Sequence, residues 1–107
     1  MASAKYTKYA QWRMHVRKVP EEGMGKFQPH AVYDQESDAI YVLLTDGEVE
    51  RSTQLDDFRI IDHSADGAVI GVEFLGVGGG VDLSDIPHRH KVEKLINELD
   101  LGIKIFA

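Results

Sequence analysis

From residue 39 to 45 the chain reads Ala-Ile-Tyr-Val-Leu-Leu-Thr, an apolar run rich in β-branched and aromatic side chains, and it closes on Asp46-Gly47. A run of that kind ending in Asp-Gly predicts a buried strand followed by a hairpin turn. A short strand over 31–34 precedes it, across the polar turn 34–38. Residues 49–55 read as a polar, edge-like strand, and 59–63 as the next one. The turn Ala65-Asp66-Gly67 then leads into the strand 68–75. Connections this short allow only hairpins, so the sheet is expected to be an antiparallel β-meander.

The glycine-rich stretch 76–80 ends the sheet and reads as a flexible connector. Beyond it the period changes. Val92, Leu95, Ile96 and Leu99 stand at i, i+3, i+4 and i+7, the stripe of an amphipathic helix over about 87–100. Pro87 suits its first turn, Gly102 is placed to cap its end, and 103–106 can form a last short strand. The fold class is therefore α+β, an antiparallel meander with one C-terminal helix packed on one face.

Alternation assigns the faces. Ile40, Val42 and Leu44 point one way, to be matched by Ile70, Val72 and Phe74, and the helix stripe covers them. Tyr41, Leu43, Val69 and Leu75 point the other way and are apolar as well, so that face also needs a cover. The cover is either the N-terminal segment carrying Trp12, Met14 and Val16, or a second subunit. In that segment Ala10, Trp12, Met14 and Val16 alternate with Gln11, Arg13, His15 and Arg17, which favours a strand; Tyr9, Trp12, Val16 and Val19 also recur at near-helical spacing. The chain is read as a single domain over 1–107, with an extension and linker at 1–29 and a sheet-plus-helix core at 30–107.

The strand region also resembles a known family. Tyr33-Asp34, Asp38-Ala39-Ile40-Tyr41, Ile61-Asp62, Asp66-Gly67 and the run Val69-Ile70-Gly71-Val72-Glu73-Phe74-Leu75 make 33–75 similar to the small prokaryotic domain-of-unknown-function family numbered 2283. The resemblance implies a compact, strand-rich fold and supplies no reaction, cofactor or catalytic residue. Toxin-like gene neighbours of some members imply an antitoxin-like partner role. The basic extension and the glycine run depart from the family's pattern.

Composition narrows the picture. At 107 residues and 43% apolar content the chain is long enough to bury one core unaided. It has no cysteine, which excludes disulfides, thiolate chemistry and Cys-based zinc sites and fits a reducing cytoplasm. No stretch has the length of a membrane span, and the basic N-terminus lacks the apolar region of a secretory signal. The net charge of −6 is unevenly spread. Residues 1–20 hold Lys5, Lys8, Arg13, Arg17 and Lys18 and no acid, whereas 21–107 hold all 18 acids and 7 bases. A basic arm thus precedes an acidic body, and it can contact phosphates, an acidic protein or its own domain.

Chemistry is sparse. His88 and His90 project to different sides of a helix or strand, so neither a metal site nor any cofactor is expected. His63 reads as an exposed strand-end histidine, and Asp57 and Asp62 as solvated. Asp34, Asp38 and Asp66 read as turn aspartates. Glu73 is the weak catalytic candidate: it shares a face with Tyr41 and Leu43, where desolvation would raise its pKa. Pairing with Arg59 or with a tyrosine hydroxyl is its structural alternative. The glycine run lacks the spacing of a phosphate loop. The sequence thus points first to a non-enzymatic binding or self-assembling module, acting as a homo-oligomer or on a protein partner. A small enzyme using Glu73 and a nucleic-acid binder acting through the arm are the alternatives.

Overall fold

The computed structural model describes residues 27–107. The proposed cover residues Trp12, Met14 and Val16, and the basic residues Lys5, Lys8, Arg13, Arg17 and Lys18, lie outside that range. Five strands form one sheet: β1 (His30–Asp34), β2 (Ala39–Leu43), β3 (Arg51–Asp56), β4 (Arg59–His63) and β5 (Val69–Leu75). A 3-10 turn at Val77–Gly79 leads to β6 (Val81–Asp82), the helix α1 (Arg89–Asn97) follows, and β7 (Ile105–Phe106) pairs with β6 in parallel.

The α+β class is as the sequence predicts, and every pairing in the large sheet is antiparallel. The strand order, β1-β2-β5-β4-β3, joins one hairpin to a three-stranded meander. Asp46-Gly47 therefore does not close a hairpin between β2 and β3. Instead the segment 44–50 crosses the ends of β5 and β4. Leu44 and Thr45 both donate to the Ile70 carbonyl, and Glu50 donates to that of His63. Burial explains the choice of partner. All five β2 residues are buried, which demands a central position beside another apolar strand. The polar β3, exposed along most of its length, suits an edge.

On the helix side, Ile40, Val42, Ile61, Val72 and Phe74 pack with Val92, Leu95 and Ile96 of α1 and with Val77, Val81, Leu83 and Ile86. The helix is shorter than its stripe suggests. It starts at Arg89 because His88, just past Pro87, takes a left-handed conformation (φ 57°), and the left-handed Asp100 (φ 54°) turns the chain before Gly102 is reached.

The glycine run is an ordered turn, not a flexible connector. Asp38 holds it from the neighbouring β1–β2 turn: its carbonyl accepts from Val77 N–H at 3.1 Å, and its carboxylate accepts from Gly78 N–H at 3.0 and 3.1 Å. Asp38 itself sits at φ 54°, a region that aspartate tolerates better than alanine. Asp38→Ala is expected to cost about 1–3 kcal/mol, from a lost charge-assisted hydrogen bond and added backbone strain, and Asp38→Asn to cost less. Urea unfolding of the two variants checks this.

Candidate functional site

The polar residues of the second sheet face converge across three strands. Register places Tyr41 of β2 opposite Glu73 of β5, and Gly71 between Leu43 and Asp62 of β4. Tyr41 slants over Gly71, and its hydroxyl donates to Asp62 Oδ2 at 2.7 Å. A side chain at position 71 would block that path, because a Cβ there would lie 2.6 Å from the Tyr41 hydroxyl and 2.7 Å from the Val42 carbonyl oxygen. Ser52, opposite Asp62 on β3, donates its hydroxyl to Asp62 Oδ1 at 2.5 Å. Both carboxylate oxygens thus receive a hydroxyl, which is what a buried carboxylate requires.

Tyr41, Asp62 and Glu73 have no exposed surface. Burial pushes the Glu73 carboxyl up to about 8, so at neutral pH it is held mostly protonated. The chemistry of the set is that of proton transfer, and all three of its members are buried. Asp62, expected at the solvent, is instead the centre of the cluster. The one sequence signal that could have found it is Gly71, a glycine inside a strand pattern, which marks a close approach by another group.

The remaining candidate residues are placed as follows. Leu43 is buried with Tyr41, and Phe27 and Val32 pack on the pair. Leu75 is half-buried. Val69 packs against the helix-side core, opposite to its sequence assignment, because the register slips one residue between the Asp62–Gly71 and His63–Val69 pairs. Arg59 also faces the helix side and does not meet Glu73. Its Nε and Nη2 donate to Asp56 at 3.0 and 2.8 Å, and its Nη1 donates to the carbonyls of Asp82 and Ser84. His63 is half-buried rather than exposed, with no hydrogen-bond partner for its Nδ1 among the described residues. His88 and His90 are exposed, and no group of three or more potential metal ligands occurs among the described residues.

A second feature opens to solvent at the other end of the sheet. Phe58, in the β3–β4 turn, and Phe106, in β7, are 60% and 49% exposed. They border a groove of about 440 Å³ that Gly76, Gly79, Gly80 and Arg59 also line. Each ring lies against a glycine. A Cβ on Gly76 would meet the Phe58 ring at 3.5 Å, and one on Gly80 would overlap the Phe106 ring at 2.3 Å. Asp56 and Asp82 stand on the rim. The Arg59 side chain and the turn N–H of Phe58 hold the Asp56 carboxyl below the usual range; bonds from Ser84 do the same for Asp82.

Residues 31–77 match the model of the family described as "Protein of unknown function (DUF2283)". The match covers the segment on which the sequence resembles that family. It takes in Tyr41, Asp62, Gly71 and Glu73, together with Phe58, and stops before α1 and Phe106. No curated protein and no solved structure matches the chain.

The buried cluster generates two expectations. Gly71→Ala should cost about 2–4 kcal/mol, from overpacking against the Val42 carbonyl and loss of the Tyr41–Asp62 bond, measured by urea unfolding. The second concerns pH. Glu73 binds its proton more tightly when folded (about 8) than at its ordinary value of 4.5. Its contribution to stability is therefore full below pH 4.5 and is lost as pH rises towards 8, at up to about 1.4 kcal/mol per pH unit. Glu73→Gln should flatten the stability curve in that window relative to the native chain.

Proposed function

We propose that this protein is a non-enzymatic binding module that self-associates or grips a partner protein, and that it works in the reducing cytoplasm. One observation carries the reading: Tyr41, Asp62 and Glu73, the set best suited to proton chemistry, have no exposed surface. An enzyme presents such groups to a cleft, whereas here they tie three strands together. What the molecule presents instead is apolar surface at Phe58, Phe106 and Leu101, and the edge strand β3. The toxin-like gene neighbours that the resemblance implies for some members of the family fit a partner-binding role.

The raised pKa of Glu73 favours the enzymatic alternative, but only if the face opens to admit a substrate. The nucleic-acid alternative rests on the basic arm alone, and the acidic body works against it. Sedimentation velocity on the full chain from micromolar to millimolar concentration tests the main reading, with a concentration-dependent rise in mass as the expected result. A monomer throughout would remove self-association and leave only a foreign partner. Retention on DNA that salt abolishes would favour the nucleic-acid reading instead.

A further inference from the structure

Phe58 and Phe106 are an unusual expense of apolar surface. Most other large apolar side chains among the described residues are buried or half-buried, yet these two rings lie open on the same groove. The groove is ordered. The Gly76 backbone is left-handed (φ 63°), Gly80 takes φ 114°, and Gly79 and Gly80 donate to the carbonyls of Gly76 and Val77. The turn is pinned by Asp38 at one end, and at the other Leu83 N–H donates to the Phe106 carbonyl. The groove therefore combines two aromatic rings with an ordered glycine turn.

Its charge is equally definite. Arg59 is buried at the base, and its Nε and both terminal nitrogens are engaged by Asp56 and by the carbonyls of Asp82 and Ser84. One cation is thus set against two rim carboxylates, Asp56 and Asp82, and the balance is negative. Aromatic faces beside carboxylates suit the long alkyl stem and cationic head of lysine or arginine. In this chain such residues are concentrated at 1–20, which carries five bases and no acid, interspersed with Tyr6, Tyr9 and Trp12. The segment and the groove are complementary in charge and in aromatic character.

We infer that the groove between Phe58 and Phe106 is the docking site for the basic segment 5–18 of a second copy of this chain. This rests on the binding-module reading and gives it a specific contact. Steering between a +5 segment and an acidic groove makes the association salt-sensitive, and the rings supply the part that salt does not remove.

Sedimentation equilibrium on the full-length chain tests it. Phe58→Ser, at an exposed position, is expected to weaken self-association roughly tenfold, as loss of a central aromatic contact does. Asp82→Asn, which keeps an acceptor for Ser84 N–H, should weaken it a few-fold, as should the paired change Arg13→Gln and Arg17→Gln. Combining the Asp82 and arginine changes should cost less than the sum of the two, as for groups that touch. Thermal melts of each variant show that the fold is intact. If the native chain stays monomeric, both the self-association reading and the groove assignment fall. If it associates but Phe58→Ser does so equally well, the module reading stands and the groove assignment is overturned. Strict additivity between Asp82 and the arginines also overturns it.

Discussion

Strand β2 carries Ala-Ile-Tyr-Val-Leu with no side chain suited to water, and all five residues are buried. That places a demand on both faces of the sheet at once. Ile40 and Val42 are met by the helix and by the irregular segment 77–86, while Tyr41 and Leu43 are met in part by Phe27 and Val32. It also decides the order of strands. A strand that must be covered on every side cannot lie at an edge, so β2 takes β1 and β5 as neighbours and the polar β3 is carried to the far side.

Within the apolar second face, the polar groups are arranged so that burial does not leave them stranded. Asp62 is buried, and hydroxyls from two different strands reach its two oxygens. Glu73 meets the same environment by a different route, keeping its proton. On the other face Arg59 solves the matching problem by distributing its donors over one carboxylate and two carbonyls.

Much of this was legible in the chain. The helix stripe at Val92, Leu95, Ile96 and Leu99, the apolar run of β2 and the pattern of β5 each follow from side-chain period alone, and they yield the α+β class. What escaped depends on partners distant in sequence. Asp46-Gly47 has local turn propensity, but whether a hairpin closes there is decided by which strand β2 must pair with. Val69 changed sides through a one-residue slip that no alternation rule contains. Asp62 read as solvated because a lone carboxylate in a strand normally is. Its burial depends on Tyr41 reaching over Gly71, a contact between residues thirty positions apart. The glycine run read as slack because the residue that orders it, Asp38, lies about forty positions earlier, in the β1–β2 turn.

That reach across Gly71 also bears on how such a chain can change. Position 41 sits on β2, 71 on β5 and 62 on β4, yet the three behave as one hereditary unit. Any side chain at 71 invades the space of the ring and of the Val42 carbonyl oxygen, so it needs both a residue 41 short enough to stop before β5, as valine would, and a shift of the β2 backbone. The hydroxyl then disappears, and the carboxylate at 62 loses a donor it needs underground. An apolar residue at 62 would have to follow, which in turn idles Ser52. Homologues that keep the tyrosine and the aspartate should therefore keep the glycine as well, whereas the glycine, still pressed by the Val42 carbonyl oxygen, should outlast the other two.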